Sequence, residues 1–322
     1  MSEGSLVLQA TEREEGIRLP SAAGGRWAGA YIHSVYKSTI NIAGKDGQLL
    51  LSLAVRPAIL APGMAILDWE GDFTGLFSPH KPCNQIRIVG SSLQLSEWLI
   101  CDLSAARLVS LAIPGPMAAA PPERLAELTE ALRRFGKPGG AGRPWLRAAG
   151  WPAPLETLHE RALYSQLMKL ALLARSGGER ELYGALTGFA GLGIGLTPSA
   201  DDFITGFFGI MLAARPECRQ WAEHCGAGWL ARVQARTTFL GYEMLRQALA
   251  GKVNRAALAV ITACLEGDGR RLEAAACGLA ALGSTSGTDM LAGIAFGLDT
   301  LYVWKRRESN ADQNCHSEER LP

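Results

Sequence analysis

Two short segments of the chain combine glycine, hydroxyl and carboxylate side chains in a similar order. The first, Gly191–Gly206, reads GLGIGLTPSADDFITG, and the second, Gly283–Gly293, reads GSTSGTDMLAG. Alternating glycines reach backbone conformations that other residues resist, so they let the backbone approach a ligand closely. Unpaired N–H groups at the start of a helix can hold an anion. These residue types therefore predict a site for a small anionic ligand.

The two segments can be aligned position by position, and each then runs into an apolar helix that contains glycine. We interpret them as two structurally similar helix openings. An internal pseudo-symmetry is one explanation, but the match is too short to establish a common ancestry of the two halves. The aligned pairs are Ser199 with Ser286, Ala200 with Gly287, Asp202 with Asp289, Phe203 with Met290, Ile204 with Leu291 and Gly206 with Gly293.

A purely structural alternative exists for both segments, because Ser199 and Ser286 are each followed three residues later by a carboxylate. This spacing is typical of a capping box, which stabilises a helix start by about 1 kcal/mol without any ligand. For the two serines taken alone, capping is the favoured interpretation. Capping does not require three alternating glycines, two adjacent acids or the same arrangement twice, and a buried acid costs free energy unless it is paired. We therefore favour a ligand site.

The common nucleotide and hydrolase motifs are absent from the sequence. The glycines of Gly191–Gly195 lack the G-x-G-x-x-G spacing of a dinucleotide fingerprint, and the preceding segment looks helical. No Gly-Lys-Ser/Thr follows them, as a phosphate-binding loop requires, and no G-x-S-x-G elbow occurs. These classes of enzyme are therefore disfavoured.

Weaker candidates lie elsewhere in the chain. Arg236, Thr237 and Thr238 fall in a segment that we predict to be helical, where two adjacent threonines are mildly unfavourable. Arg236 could clamp a carboxylate or phosphate, although an exposed helix arginine is an equal possibility. His33, in a strand, and His80, in a loop, have roles that the sequence leaves open.

Composition sets limits on the partners and the location of the protein. The chain has 322 residues with 32 basic and 31 acidic side chains, and this balance predicts neither a nucleic-acid nor a membrane-surface interaction. No secretion signal or membrane-spanning stretch is recognised, so we expect a cytoplasmic protein. The seven cysteines show no CxxC spacing, which argues against a disulfide framework and a zinc site.

The elements that must position the two segments follow a β-then-α order, which predicts an α+β fold. Residues 1–116 read as several short strands, including a hairpin of Trp27–Ile42 and Gln48–Val55, and predict a small antiparallel barrel or sandwich. Residues 117–305 read as a helical domain with a Pro/Gly-rich connector at 137–154, and 306–322 as a disordered tail. The predicted helices are Pro122–Phe135, Leu155–Arg175, Arg180–Thr187, Asp201–Ala214, Ala227–Ala250, Arg255–Glu266, Arg271–Leu282 and Asp289–Trp304.

The stretch GLGIGLTPSADDFITG at 191–206 resembles the hallmark of the AllH family, G-x-G-x-G-L-T-P-S-G-D-D-F-L-x-G. The Thr237-Thr238 pair and the segment that ends in Asp289 are similar as well, and the order of β-rich and helical parts suits the family over most of the chain. The sequence departs from the family by having Ala200 where a glycine is usual. Because alanine tolerates the left-handed conformation less well, we expect a slightly different backbone there.

The resemblance implies a subunit of oxamate carbamoyltransferase in anaerobic allantoin breakdown. In that reaction oxalurate and phosphate give oxamate and carbamoyl phosphate, from which a kinase makes ATP. The resemblance also implies two other subunits as partners. A non-catalytic subunit, which binds an anion or scaffolds its partners and serves a different small carboxylate substrate, is the alternative.

This chemistry gives the candidate residues their expected roles. Asp201, Asp202 and Asp289 are the catalytic candidates, since carboxylates could accept hydrogen bonds from the carbamoyl nitrogen or hold a Mg²⁺ that neutralises phosphate. Whether any cofactor is used stays open. The candidates for binding the anionic substrate are Gly193, Gly195, Thr197, Ser199, Ser286, Gly287, Arg236, Thr237 and Thr238.

Overall fold

The computed structural model describes residues 5–20, 25–77, 86–116, 120–267 and 269–318. The protein is α+β, as the sequence predicts, with a β-rich N-terminal part and a helical C-terminal part. The chain divides into two compact units, Met1–Leu111 and Ala112–Pro322. Each unit has its own large hydrophobic core.

The described part of the first unit forms one curled, nine-stranded sheet. Its strand order is β2-β3-β4-β5-β1-β8-β7-β6, and β9 pairs with β1 beside this path. The strands are β1 (Leu6–Glu14), β2 (Tyr31–Val35), β3 (Thr39–Ala43), β4 (Leu49–Val55), β5 (Met64–Leu67), β6 (Arg87–Val89), β7 (Ser92–Gln94), β8 (Leu99–Asp102) and β9 (Arg107–Val109).

The prediction of a small antiparallel barrel or sandwich is partly wrong, because the sheet is mixed and open. β1 runs parallel to both β8 and β9, and β4 runs parallel to β5. β2 and β6 lie at opposite ends of the strand order. Side chains alternate between the two faces in parallel and antiparallel strands alike, so the alternation could not reveal strand direction. The central strand β1 was not predicted at all, since its sequence LVLQATERE ends in charged residues.

The predicted hairpin around residues 44–47 is confirmed. β3 and β4 pair antiparallel, and the Gly44 N–H donates to the Gln48 carbonyl at 2.9 Å. Gly47 has a φ of 74°, a left-handed conformation that favours glycine in the turn. The predicted first strand, Trp27–Ile42, is instead two strands, because a tight turn closed by the Tyr36 N–H and the Thr39 carbonyl separates β2 from β3.

The described part of the second unit is helical. Two long helices, α5 and α10, lie at its centre, and the first fifteen residues of α5 are all buried. No helix within the described residues combines the length and the apolar composition that a membrane span requires. The helices are α1 (Glu123–Phe135), α2 (Gly142–Ala148), α3 (Leu158–Ser176), α4 (Glu179–Phe189), α5 (Ser199–Ala214), α6 (Pro216–Val233), α7 (Phe239–Leu249), α8 (Arg255–Glu266), α9 (Gly269–Ala280) and α10 (Ser286–Glu318).

Most predicted helices are present, but three segments differ from the prediction. The single helix expected over Ala227–Ala250 is interrupted by a short 3-10 turn at Gln234–Arg236, so that it becomes the end of α6 followed by α7. The connector 137–154 contains the short helix α2. α10 continues to Glu318, into the segment 306–322 for which we predicted disorder.

The crossing of α5 and α10 depends on two glycines with reciprocal contacts. A Cβ atom at Gly206 would overlap the carbonyl oxygen of Met290, and a Cβ atom at Gly293 would overlap the carbonyl oxygen of Phe203. Gly206 and Gly293 correspond in the alignment of the two segments, and so do Phe203 and Met290. The two helices therefore use the same contact in both directions, which supports the interpretation of paired helix openings.

Candidate functional site

The two predicted segments meet at the starts of α5 and α10. Asp202 and Asp289, here called the Asp pair, lie in the first turns of these helices and are only 1% and 0% exposed. The Thr197 hydroxyl donates to Asp202 Oδ2 at 3.0 Å and lies 3.2 Å from the Ser286 hydroxyl. The two helix starts thus share one buried polar cluster.

The Asp pair has raised pKa values because both carboxyl groups are buried. Burial raises the pKa of Asp289 to about 7, against the lowering effects of the Ala141 N–H and of the Ser199 and Thr285 hydroxyls. Burial, and then the charge on Asp289, raise the pKa of Asp202 well above its ordinary value. An ionised carboxylate is disfavoured where water is excluded and a second acid is close.

Each member of the Asp pair has one oxygen without a hydrogen-bond partner among the described residues. These oxygens are Asp202 Oδ1 and Asp289 Oδ2, although the Ser286 hydroxyl is near enough to Asp202, and the Ser199 and Thr285 hydroxyls to Asp289, to lower the pKa of each acid. The other oxygen of Asp289 accepts from the Ala141 N–H at 2.6 Å. Buried polar atoms are nearly always hydrogen-bonded, so two such oxygens in one cluster indicate places where a ligand donor can bind.

The serines at the two helix starts act across the cluster. The Ser286 hydroxyl lowers the pKa of Asp202, and the Ser199 hydroxyl lowers the pKa of Asp289. Pro198 occupies the N-cap position of α5, and no side chain caps this helix. The capping interpretation is therefore wrong for Ser199, because Ser199 is already the first helical residue and its side chain faces the partner helix.

Asp201 has surroundings quite different from those of its neighbour Asp202. Its Oδ1 accepts from the Gly191 N–H at 2.8 Å, and its Oδ2 accepts from the Thr237 hydroxyl. Burial raises its pKa, while these two donors lower it. Both of its oxygens are thus used by the protein, so the structure separates Asp201 from the Asp pair.

The glycine loop, Gly191–Pro198, precedes α5. Gly191, Gly193 and Gly195 all have positive φ, at 80°, 136° and 104°. A Cβ atom at Gly193 would overlap the Ser199 backbone nitrogen, whereas one at Gly195 would meet nothing within 4 Å. Gly193 is therefore required by packing, and Gly195 is on the open side of the loop.

The remaining predicted binding residues lie in three different places. Thr237 and Thr238 contact Asp201 and the glycine loop, and they lie between helices rather than inside one: the Thr238 hydroxyl caps α7 by accepting from the Gly241 N–H at 2.9 Å. The Arg236 guanidinium donates to the Gly188 carbonyl at 3.4 Å and does not join the Asp pair. Gly287 packs against the Leu279 carbonyl of α9.

The sequence left the roles of two histidines, His33 and His80, open. His33 is an exposed residue of β2 in the first unit, with its ring 3.3 Å from the Ser34 hydroxyl. His80 lies outside the described residues. Their roles stay open.

Sequence analysis missed a second loop, Lys137–Ala141, which covers Asp289. A Cβ atom at Gly140 would overlap the Asp289 carboxylate, so this glycine allows the loop to approach it. The Lys137 N–H donates to the Thr288 hydroxyl at 3.0 Å, and Glu160 accepts from the Gly139 N–H at 3.1 Å. The Gly139-Gly140 pair just before α2 was the available signal, but the Pro/Gly-rich segment 137–154 was interpreted as a connector between helices.

The family of the chain follows from two matches. Residues 11–108 match the AllH family N-terminal domain, and residues 189–298 match the family described as Oxamate carbamoyltransferase subunit AllH. The chain belongs to the AllH family. Comparison with curated proteins and with solved structures gave no match.

The second AllH match contains most of the site, including the glycine loop and both members of the Asp pair. The loop Lys137–Ala141 lies between the two matched ranges, although the Ala141 N–H donates a hydrogen bond to Asp289 Oδ1. The AllH chain thus completes its polar cluster with a segment that the family matches do not include.

A metal ion has limited support in the protein side chains alone. Within the described ranges, no group of three or more His, Cys, Asp or Glu side chains is arranged to hold a metal. The Asp pair offers two carboxyl groups. Mg²⁺ commonly binds through one or two carboxylates together with substrate phosphate, so a Mg²⁺ shared with phosphate fits this donor set better than a metal held by the protein alone.

Proposed function

We propose that this AllH-family chain supplies the carbamoyl-binding site of an oxamate carbamoyltransferase, with the Asp pair at its centre. The reaction converts oxalurate and phosphate to oxamate and carbamoyl phosphate. The observation that carries the proposal is the meeting of two similar helix starts in one buried cluster, where Asp202 Oδ1 and Asp289 Oδ2 lack partners among the described residues.

The chemistry needs positioning more than it needs a nucleophilic side chain. A phosphate oxygen attacks the carbamoyl carbon of oxalurate, the bond from that carbon to the oxamate nitrogen breaks, and this nitrogen takes up a proton. Holding the two reactants in line and stabilising the developing oxyanion supply most of the rate enhancement in such a transfer. The carbamoyl NH₂ group carries two N–H donors, which match the two available acceptor oxygens of the Asp pair.

Electrostatics predicts which end of the bound substrate lies on the Asp pair. Both oxalurate and phosphate are anions, and ionised carboxylates repel anions. The neutral carbamoyl end therefore belongs on the Asp pair, and the anionic groups belong toward Thr197 and the open Gly195 side of the glycine loop. The helix starts of α5 and α10 favour negative charge near their N–H groups and offset part of this repulsion.

The proposal includes the setting of the reaction. We place the chain in the cytoplasm, in a heteromeric complex with two other carbamoyltransferase subunits that serves anaerobic allantoin catabolism. The family description as a subunit supports the complex. A Mg²⁺ bound between phosphate and the Asp pair is an additional proposal, since it would reduce the repulsion between these groups.

One observation favours a second candidate function. The near-complete burial of Asp202 and Asp289 is also compatible with a non-catalytic subunit, in which the cluster holds the two helices together and the partner subunits perform the chemistry. Such a subunit would bind an anion or act as a scaffold.

The test is carbamoyl phosphate formation from oxalurate and phosphate, with the chain assayed alone and with its partner subunits. The Asp202→Asn and Asp289→Asn variants should assemble normally and lose at least about 100-fold in kcat, the usual loss when a positioned polar group is removed. Asp299→Asn, a carboxyl change on the same helix as Asp289, is the matched control and should retain activity. Full turnover by both Asp-pair variants would favour the scaffold.

A further inference from the structure

We propose that Asp201 is a positioning residue that does not touch the substrate. Together with Thr237 and Thr238 it forms a clamp that fixes both ends of the glycine loop and so places Thr197 against the Asp pair. The catalytic consequence rests on the proposed function, whereas the clamp itself is a property of the folded chain.

The clamp holds the first residue of the glycine loop through Asp201. One carboxyl oxygen accepts from the Gly191 N–H at 2.8 Å, and the other accepts from the Thr237 hydroxyl. The backbone of Gly241 closes over the same carboxyl group, since a Cβ atom there would overlap Asp201 Oδ2. Each oxygen of this fully buried carboxyl group is therefore already bonded within the protein.

The clamp holds the other end of the loop through Thr238. Its hydroxyl donates to the Leu196 carbonyl and accepts from the Gly241 N–H. This hydroxyl thus starts α7 and ties down the loop at the same time. The break between α6 and α7 is what allows two adjacent threonines to face the loop.

Between the two ties the loop projects outward, and Ile194 is 78% exposed. Thr197 follows immediately after the Leu196 tie, and its hydroxyl joins Asp202 to Ser286. Release of either tie would displace Thr197 without changing any residue of the Asp pair. The clamp therefore controls the geometry of the cluster from outside it.

Hydrogen exchange of the purified chain tests the clamp directly. Asp201→Ala and Thr237→Val should raise exchange at the amides of 191–197 by about 10-fold, the effect of losing one hydrogen bond of about 1.4 kcal/mol. Asp201→Asn should stay close to wild type, because its amide oxygen can accept from Gly191 and its NH₂ can donate to Thr237. If Asp201→Ala does not fold, Thr238→Val and Thr237→Val report on the same ties. Unchanged loop exchange in the folded variants would overturn the clamp.

Kinetics of the complete complex separate positioning from catalysis. Asp201→Asn should keep kcat within about 3-fold of wild type and leave the pH profile unchanged, and Thr237→Ser should restore the activity that Thr237→Val loses. An Asp201→Asn variant as inactive as Asp202→Asn, or one with a shifted pH profile, would overturn the assignment. A wild-type complex that does not consume oxalurate would instead refute the proposed function, and the exchange measurements would still decide on the clamp.

Discussion

Asp202 and Asp289 lie at the starts of two crossing helices, close enough for the charge on Asp289 to raise the pKa of Asp202. Both are buried, and neither has a basic partner among the interactions that set its pKa. Two adjacent buried acids titrate as a pair, and the second proton is lost with difficulty. At neutral pH we therefore expect the Asp pair to hold one proton and one negative charge, so that it still repels anions and its unprotonated oxygens still accept hydrogen bonds.

The raised pKa of Asp289 predicts that stability falls as pH rises. The folded state binds the proton more tightly than the unfolded state, so stability is fully present below pH 3.8 and is lost as pH rises to about 7. Thermal unfolding between pH 5 and pH 8 should show a loss on the order of 3 kcal/mol in wild type. Asp289→Asn should make this dependence shallower, and the buried Asp202 carboxyl group should account for the part that remains. An equal slope in both proteins would contradict the raised pKa.

The reciprocal glycine contacts predict that a single methyl group disrupts the helix crossing. Gly206→Ala or Gly293→Ala would each force α5 and α10 apart, because the new Cβ meets a backbone carbonyl that cannot rotate away. We expect each variant to lose at least about 2 kcal/mol of unfolding free energy, measured by chemical denaturation. Gly278→Ala is the matched control: it lies in α9 with no atom within 4 Å of the added Cβ and should gain up to about 1 kcal/mol. Similar effects at all three positions would refute the close crossing.

A substitution at Gly140 tests how much activity depends on the position of the Asp289 carboxyl group. The Gly140 backbone has no left-handed conformation, so an alanine is opposed only by the overlap of its Cβ atom with the Asp289 carboxylate. Gly140→Ala should displace this group, lower carbamoyl transfer by about 10-fold or more and leave the helical circular dichroism intact. Gly184→Ala, an exposed and unobstructed helix position, should leave transfer unchanged. Normal activity in Gly140→Ala would show that the position of Asp289 is not critical.

Replacing Ala200 with the glycine that is usual in the family should lower the stability of the protein, whereas the family pattern led us to expect that alanine is the strained residue. We expected alanine to distort the backbone, but no described residue other than glycine has positive φ, and Ala200 is a fully buried helical residue. Ala200→Gly should therefore lose about 1 kcal/mol of unfolding free energy through added chain entropy. A more stable glycine variant would show that alanine is strained there.

The candidate site could be predicted from sequence where its residues lie on local motifs. The glycine loop and the two helix starts were recognised because their order of residue types repeats within a few positions. The loop Lys137–Ala141 could not be found this way, since Ala141 reaches Asp289 through a backbone N–H that any residue could supply. The different environments of Asp201 and Asp202 were hidden as well, because neighbours on a helix point about 100° apart and meet different elements.

The sequence predicted the types of most elements, but it did not predict how the strands pair or where one helix breaks. Periodicity located most helices and the hairpin β3–β4, but it did not show that β1 runs parallel to β8 and β9. The helix break before Thr238 was missed because the apolar periodicity on both sides favours a continuous helix. A threonine hydroxyl that caps α7 and binds the Leu196 carbonyl decides the break through a contact that local sequence does not contain.

The starts of α5 and α10 are similar, but the segments that contact them, the glycine loop and the loop Lys137–Ala141, are not. Asp202 is met by a threonine side chain from one loop, and Asp289 by the main chain of another. An unsymmetrical molecule that contacts both carboxyl groups therefore meets different surroundings at each of them. Its orientation is set by Thr197 and the loop Lys137–Ala141, which lie outside the aligned positions. A change of substrate would then need new covering segments and no new scaffold beneath them.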